Sequence, residues 1–584
     1  MARTPTGGNL ATVAPACHCP AAPPETTAMF LGAVFEREVR MAPREQAAFV
    51  GRAVYCGTLL GIVATCWLVV TGSQTVGTVG DAGRFAATLL RILGPLQLAL
   101  AMLAAALTAA LSVSLEKDRR TLELLLVSRL GDPQLVLGKL AGSLLRVLLL
   151  IASAVPVFAL VALFGGVSAA QLARLFVVTV AAALAAASIA NAVAFWKDTT
   201  FQALAITAFA LAAWLAAGEA VAFRFGDASG ALVSPARGVF AALEPAGGRF
   251  LPALLGTCAA VIVAANAVAV PLARRWNTAR ETRAAPRPRA AGAAPRTRTV
   301  WSNPVLWREI RTRAHGRAMV VVRLAWLALF AAAVAGIAAQ ARAARPDRLA
   351  VAVAVVPMAL ASLLAVAALA VTSITSERDR GAFDLLLVSD LEPAELVWGK
   401  LGGVLVAARE IVLLPLGLAA ALVVLGLATP EHGFYLAAGL ALLLFFAAVL
   451  GLYAGLSHTV SRQAIAVALG TVAFLFVGVA TAMRIMVAFG GSFELQLAPF
   501  LAVIVGGGVG LYAALSARNP SPAVAWASAL LPALTFTAIA AFIQGNTLQV
   551  FLVVVAAYGF ATLAMLVPAI AAFDLLTGRT TAGD

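Results

Sequence analysis

Charged residues are scarce in this sequence. Asp, Glu, Lys and Arg make up 12% of its 584 residues, about half the share of an ordinary soluble protein, whereas 62% of the residues are hydrophobic. So few charges cannot cover a surface that faces water. The composition therefore excludes a soluble globular protein and predicts an integral membrane protein.

Cysteine and histidine are also scarce. The five cysteines are too few and too scattered for a disulfide framework. Cys17 and Cys19 flank a histidine, but no second pair of metal ligands accompanies them. The other histidines form no convincing constellation with acidic residues. We expect no metal site and no catalytic site on this chain.

A phosphate-binding loop is missing as well. Such a loop needs Gly-x4-Gly-Lys-Ser/Thr, because its backbone amides surround the phosphates and its hydroxyl holds magnesium. Gly138-Lys139 and Gly399-Lys400 come nearest to it, but a leucine follows each of them. Any ATP hydrolysis linked to this protein must therefore occur on another chain.

The sequence does contain long apolar runs. Runs of about 20 apolar residues are typical of helices that cross a bilayer, whereas barrel strands would alternate over about ten residues. We predict an all-α, polytopic integral membrane protein. The fourteen predicted spans are approximately 51–71, 88–114, 140–164, 172–195, 200–222, 250–273, 320–340, 349–375, 401–428, 433–456, 463–486, 496–516, 522–543 and 548–573.

The net charge of +15 is explained by these spans and needs no nucleic acid. With the N-terminus in the cytoplasm, Lys and Arg favour the predicted cytoplasmic segments about three to one, in agreement with the positive-inside rule. We therefore expect a multi-pass protein of the inner (cytoplasmic) cell membrane. Its surroundings would be the lipid bilayer, with no nucleic-acid partner.

The sequence repeats itself at an offset of 261 residues. Segments 116–140 and 377–401 are identical at 14 of 25 positions, including Glu-x-Asp-Arg at the start and Gly-Lys-Leu at the end. Both are predicted hydrophilic loops, so shared hydrophobicity does not explain the match, and we interpret it as a duplication. Six predicted spans separate the copies. The two six-helix repeats are therefore parallel and related by a pseudo-two-fold axis along the membrane normal.

A second repeated element precedes the first span of each half. Phe35-Glu-Arg-Glu-Val-Arg40 corresponds to Leu306-Trp-Arg-Glu-Ile-Arg311. The repeats divide the chain into five parts. These are a disordered tail (1–34), a first repeat (35–275), a basic linker (276–302), a second repeat (303–516), and about two extra C-terminal transmembrane helices with a tail (517–584).

Both repeated elements predict amphipathic helices on the cytoplasmic surface. In the first loop, Leu122 and Leu126 share an apolar face, and Phe383 and Leu387 correspond to them. Such a helix can lie on lipid, enter a groove of a partner, or pack under its own bundle. Its presence in both halves favours a partner. The element at 305–311 predicts an interfacial elbow helix, the alternative being an ordinary cluster of charges before a span.

These elements resemble the ABC transporter permeases of the second type. The resemblance is carried by Asn303-Pro-Val-Leu-Trp-Arg-Glu309 and by Glu377-Arg-Asp-Arg-Gly-Ala-Phe-Asp-Leu-Leu-Leu-Val-Ser389, with Gly-Lys ten residues on. It covers both halves, about 35–275 and 303–516. The first copy has Arg120 where the family usually has glycine. The second keeps Gly381 but departs from the family's Thr-Leu-Glu that follows.

The resemblance implies a role for the two loops, which we name the first coupling segment (116–139) and the second coupling segment (377–400). In that family the loop forms a helix that docks on an ATP-binding cassette subunit. This chain would then be the permease subunit of an exporter, not itself an enzyme, with ATP and Mg²⁺ on two copies of the partner. The expected docking residues are Glu116, Leu122, Glu123, Leu126, Gly138, Lys139, Glu377, Phe383, Asp384, Leu387, Gly399 and Lys400, and the expected elbow residues are Glu38, Arg40, Trp307, Arg308, Glu309 and Arg311.

Three charged residues fall within predicted spans. Arg146, Arg409 and Glu410 are candidates for a substrate path or gate, because charges inside a bilayer are costly. Snorkelling to the interface and local pairing are the alternatives. A secondary active transporter built from parallel repeats is the alternative function. It would need acidic residues near the middle of the membrane, and the spans hold few.

Overall fold

The protein is a bundle of long α-helices, and the part of the chain that the structure describes contains no β-strand. This computed structural model describes residues 35–36, 39, 46–73, 78–245, 247–284, 300–311, 319–342, 348–489, 493–518 and 520–577. The all-α, polytopic membrane architecture predicted from the sequence is confirmed. The tail 1–34 and the elbow residues Glu38 and Arg40 lie outside the described residues.

The first half begins several of its helices on polar caps. The side chains of Thr78, Ser168 and Thr199 each accept a hydrogen bond from the backbone N–H three residues further on. Two short helices, α7 and α8, lie between the predicted spans 200–222 and 250–273. The helices of this half are α1 (Gln46–Ser73), α2 (Val79–Asp118), α3 (Thr121–Val127), α4 (Asp132–Leu163), α5 (Ala169–Trp196), α6 (Thr200–Phe225), α7 (Asp227–Val233), α8 (Pro235–Leu243) and α9 (Leu251–Ala284).

The second half follows the same order up to its sixth long helix. A π-helical turn, Phe474–Gly478, joins α17 to α18. The helices are α10 (Pro304–Arg311), α11 (Met319–Ala341), α12 (Arg348–Asp379), α13 (Ala382–Val388), α14 (Pro393–Ala407), α15 (Arg409–Val424), α16 (Pro430–Ser457), α17 (Ser461–Ala473), α18 (Val479–Phe489) and α19 (Phe493–Leu515), followed by α20 (Pro522–Gln544), α21 (Thr547–Ala571) and α22 (Phe573–Thr577).

Within the described ranges, ten helices are long and apolar enough to cross a membrane. The pair α14 and α15 would make an eleventh span, although it bends by 63° at the break. Three shorter apolar stretches, Phe49–Ala64 in α1, Trp326–Ala341 in α11 and Phe500–Leu515 in α19, coincide with the remaining predicted spans. Each of the fourteen predicted spans therefore has an apolar helix in its place.

The two halves meet through reciprocal helix pairs. α2 and α12, the second long helix of each half, contact each other. α6 contacts α11 and α12, and in the same way α18 contacts α1 and α2. Such reciprocity is expected of halves related by a two-fold axis, because each surface then meets its counterpart. The end of the bundle that carries both coupling segments is called the coupling end below.

Candidate functional site

Each coupling segment consists of a turn, a seven-residue helix and a return into the bundle. The turn places Arg120 and Gly381 in the left-handed region, at φ 58° and 68°. Glycine adopts this conformation without steric cost, whereas an L side chain is strained there. Among the described residues, Arg120 is the one residue other than glycine with a positive φ. The glycine of the motif therefore serves the turn, and Arg120 is a strained departure from it.

A buried lysine ties each segment to the helix before it. Lys139 Nζ lies 2.5 Å from Glu116 Oε2, and Lys400 Nζ lies 2.8 Å from Glu377 Oε1. Each ammonium also donates a hydrogen bond to a backbone carbonyl oxygen one turn before its glutamate. The lysine side chains are only 5% and 1% exposed. The Gly-Lys motif that was expected to dock a partner is therefore an internal brace in this structure.

The second residue of each Glu-x-Asp-Arg motif caps the C-terminal end of another helix. Lys117 Nζ donates hydrogen bonds to three carbonyl oxygens at the end of α5, at 2.6, 2.6 and 3.0 Å. Arg378 donates to two carbonyl oxygens at the end of α16. Cations stabilise helix C-termini because the last carbonyl groups lack partners within the helix. Each coupling segment is thereby fixed to the fourth long helix of its own half.

The third and fourth residues of the motif pair across the two halves. Asp118 Oδ1 lies 2.8 Å from Arg380 Nη2, and Asp379 Oδ1 lies 3.3 Å from Arg119 Nη2. Asp118 and Arg119 correspond to Asp379 and Arg380 at the offset of 261. Each half therefore contributes one aspartate and one arginine, at equivalent positions, to the two pairs. The carboxylates are buried and the guanidinium groups are about half exposed.

The elbow helix α10 packs against α14. Asn303 caps α10 by accepting a hydrogen bond from the Leu306 backbone N–H at 2.8 Å, and its amide donates to a carbonyl oxygen at the start of α14. Three glycines of α14 allow this approach. A Cβ atom added at Gly399, Gly402 or Gly403 would lie only 2.6 to 2.8 Å from atoms of the elbow. Gly399 of the Gly-Lys motif is thus required by the elbow.

The elbow also joins the lysine brace. Glu309 Oε1 lies 2.7 Å from Lys400 Nζ, and Arg308 pairs with Glu377. Burial of Glu309 opposes ionisation, but the charges and hydrogen bonds of Lys400 and Arg308 outweigh it and lower the pKa of Glu309 below its ordinary value. Trp307 is half-buried and Arg311 is exposed. Arg308 and Glu309 therefore face the bundle, whereas the sequence predicted interfacial positions for them.

The exposed face of the coupling helices is not the one expected from the sequence. Leu122, Leu126 and Phe383 are buried, and Leu387 is half-buried. Each short helix has two apolar faces, and the one with more apolar side chains packs on its own bundle. The opposite face presents four apolar side chains that are 73–87% exposed, next to exposed Glu123 and Asp384. These four side chains, named the docking face, are Leu124, Val127, Leu385 and Val388.

Arg274, within α9, holds the first coupling helix in place. Its guanidinium donates hydrogen bonds to the carbonyl oxygens of Leu126 and Leu130 at 2.9 and 2.6 Å, and it pairs with Asp132. The sixth long helix of the first half is thereby fixed to the end of α3.

Two of the three charges predicted within spans, Arg409 and Glu410, are found in local pairs. Glu410 Oε1 lies 2.9 Å from Arg409 Nε and 3.3 Å from Arg323 Nε. Arg409 follows the break between α14 and α15, and its side chain is more than half exposed. Arg146 is half-buried within α4. Arg409 and Glu410 thus match the alternative of local pairing, and their role in a substrate path stays a prediction.

Sequence reasoning missed several residues of the site. Lys117, Arg274 and the two Asp-Arg pairs were not among the expected site residues. The signal for the pairs was present, since Asp and Arg are identical in both copies although the residues on either side of them, Lys117/Arg378 and Arg120/Gly381, differ. Nothing in the sequence distinguished Arg274 from the other basic residues near the linker.

Comparison with known families adds one match. The family model described as ABC-2 family transporter protein matches residues 83–225, which run from α2 through the first coupling segment to α6. No curated protein matches the chain. The matched region is the part of the first half that contains Glu116, Lys139 and α3.

Proposed function

Since residues 83–225 match the model of the ABC-2 family transporter proteins, we propose that this chain is a permease subunit that exports a substrate with energy from ATP hydrolysed on separate subunits. Two copies of an ATP-binding cassette subunit would dock at the coupling end, one under each half. They would bind ATP and Mg²⁺, while this chain supplies the path through the membrane. The coupling end would face the cytoplasm, as the distribution of Lys and Arg indicates.

The docking face is the single observation that carries this proposal. Leu124 and Val127 on α3, and Leu385 and Val388 on α13, expose apolar surface at equivalent positions of the two halves. A short helix that presents apolar side chains beside a carboxylate is suited to a groove in a partner protein. Two equivalent helices call for two equivalent partners. The lysine brace joins each coupling segment to the bundle, so a displacement of either helix would be transmitted to the bundle.

A secondary transporter is less consistent with the contacts. Ion coupling in such proteins uses acidic residues near the middle of the membrane. Glu410 is paired with Arg323 and Arg409, and Glu219, near the end of α6, is paired with Arg237. Each of these carboxylates is already paired with a neighbouring arginine, so neither is available to bind a cation from solution.

The test is co-purification of the full chain with the ATP-binding subunits encoded beside it. We expect two subunits per wild-type chain. Leu124→Asp with Val127→Asp should lose one of them, and the additional changes Leu385→Asp and Val388→Asp should lose both. Burying two new charges in each interface should weaken binding by about a hundredfold or more.

Val79→Asp with Phe225→Asp is the matched control. These residues lie at the start of α2 and the end of α6, outside the predicted spans and at the opposite end of the bundle, and are 84% and 70% exposed. The control should keep both subunits and the ATPase activity of the complex. Binding of two subunits with wild-type affinity by the fourfold docking-face variant would overturn the proposal.

A further inference from the structure

We propose that the reciprocal pairs Asp118–Arg380 and Asp379–Arg119 form a latch that holds the coupling ends of the two halves together, and that the latch must open for the halves to separate there. The inference rests on the proposed function only for the source of the opening force. The latch itself belongs to this chain and can be tested without a partner.

The burial of the four groups is suited to a contact that opens and closes. The side chains of Asp118 and Asp379 are 2% and 6% exposed, whereas those of Arg380 and Arg119 are 45% and 51% exposed. When the halves separate, each guanidinium can move fully into water, and the water that enters between the halves can hydrate the carboxylate that it leaves. Opening therefore leaves no unpaired charge in an apolar environment.

The acid of the first half is held firmly in position. Asp118 Oδ2 accepts a hydrogen bond from the Thr200 hydroxyl at 2.6 Å, at the start of α6. In the second half, the buried Asp379 Oδ2 has no hydrogen-bond partner among the residues that the structure describes, and neither has the Ser461 hydroxyl that corresponds to Thr200. The two pairs are therefore unequal, and the pair of Asp379, which is also the longer one, is expected to open first.

A polar cavity beside the latch gives one of the arginines room to move. It has a volume of about 250 Å³ and is lined by residues of both halves, among them Thr199 and Thr200 from the first and Arg308, Glu377 and Arg380 from the second. Hydroxyl and charged groups around the space favour water within it. Arg380 can leave Asp118 for this cavity and remain solvated.

The position of the latch connects it to the docking face. Arg119 is followed by the strained turn at Arg120, and α3 begins at Thr121. Arg380 is likewise followed by Gly381, and α13 begins at Ala382. One residue thus separates each latch arginine from a coupling helix. A displacement of either helix by a docked subunit acts on the latch before it reaches the membrane.

The experiment measures the distance between the two coupling helices in the full chain, in lipid nanodiscs and without any partner. Spin labels are attached at Val127→Cys and Val388→Cys, both highly exposed, after the native cysteines are replaced by alanine. In the labelled chain with all four latch residues unchanged, we expect a single population with a short distance between the two labels. Arg119→Gln with Arg380→Gln should raise the fraction of a longer-distance population by roughly three- to thirtyfold, the range expected for the loss of two partly exposed ion pairs.

A second variant and a control keep the result interpretable. Asp118→Asn with Asp379→Asn removes the other side of each pair and should shift the distances in the same direction. Arg129→Gln with Arg311→Gln removes the same number of exposed positive charges outside the latch and should leave the distances unchanged. Thermal denaturation establishes that each variant is folded.

Unchanged distances in both folded latch variants would overturn the inference. That outcome is separate from a failure of the proposed function. Loss of subunit binding in the co-purification experiment with an intact distance response would leave the latch in a transporter driven by another force. Normal subunit binding with no distance response would remove the latch alone.

Discussion

At the scale of single residues, Arg120 and Gly381 occupy the same turn and differ in strain. The left-handed conformation costs an L residue roughly 1–2 kcal/mol relative to glycine. Arg120 bears that cost in the first coupling segment, whereas Gly381 avoids it in the second. The two docking helices thus have similar geometry but different local stability.

Arg120→Gly should therefore stabilise the first coupling segment by about 1 kcal/mol. Hydrogen exchange of the α3 amides should slow by about fivefold, because local opening becomes rarer. Gly381→Ala should accelerate exchange in α13 by a similar factor. Nothing lies within 4 Å of a Cβ atom added at Gly381, so this second effect would come from backbone strain alone. Equal exchange in α3 before and after Arg120→Gly would contradict the assignment of strain.

The lysine brace explains why Gly-Lys occurs in both copies of the segment. Lys139 and Lys400 lose most of their hydration, and each is compensated by a glutamate 23 residues earlier. Removing one partner of such a buried pair is more damaging than never having had the pair, since a charge is left behind. Charge reversal at Glu116 or Glu377 would therefore damage the fold as well as any docking. The exposed residues of α3 and α13 give a cleaner test of the partner.

At the scale of elements, the elbow helix α10 depends on an ionised carboxylate. The pKa of Glu309 is lowered because Lys400 and Arg308 favour the charged form. A carboxyl group whose pKa is lowered on folding contributes stability above the ordinary pKa of glutamate, about 4.3, and loses it as the pH falls through the lowered value. The attachment of the elbow to α14 should thus weaken in acid.

We expect Glu309→Gln to destabilise the protein at pH 7 and to have progressively less effect below about pH 4. The loss at pH 7 should be about 1–3 kcal/mol, as for a buried hydrogen bond to a charged group. Midpoints of thermal denaturation for both proteins, from pH 7 down to pH 3.5, give the comparison. A difference between the two midpoints that stays constant across this range would show that Glu309 contributes no ionic stabilisation.

The coupling helices show how far periodicity can lead. Helical spacing grouped Leu122 with Leu126 correctly, because both lie on one face. It could not decide whether that face meets a partner or the protein's own bundle, since both environments are apolar. Leu124 and Leu385 lie on the opposite face of each helix, between polar residues, and they are exposed in this structure.

At the scale of the whole molecule, the last two long helices belong to the core of the second half. Tyr558 of α21 is buried, and its hydroxyl lies 2.7 Å from the Thr535 hydroxyl of α20. Its ring meets that of Phe446 in α16 edge to face, with centroids 4.9 Å apart, and stacks on Phe476 at 5.9 Å. These helices have no counterpart in the first half, yet they share a continuous core with the second.

Tyr558→Ala should therefore destabilise the whole second half. A void of about 100 Å³ would cost roughly 2–3 kcal/mol, and Tyr558→Phe, which loses only a hydrogen bond, about 1 kcal/mol. Phe560→Ala is the control, because that ring is 42% exposed on the same helix. The free energy of unfolding in mixed micelles measures all three variants. Equal losses for Tyr558→Ala and Phe560→Ala would show that α21 is peripheral.

The sequence by itself determined the membrane environment, the positions of the apolar helices and the repeated coupling segments. Each of these follows from composition, run length or local identity, which are properties of neighbouring residues along the chain. The resemblance to ABC-2 permeases depended on the same local motifs. The ends of the helices that form the site likewise depend on neighbouring residues and not on distant parts of the chain.

Only the tertiary structure decided what the motif residues do. Asp118 and Arg380 are 262 residues apart in sequence, so no local pattern can pair them. The burial of Lys400, the outward position of Leu124 and the contact of Arg274 with α3 likewise depend on how helices pack. Charges that become buried at the coupling end are costly unless they are paired, and the folded arrangement alone selects the partners.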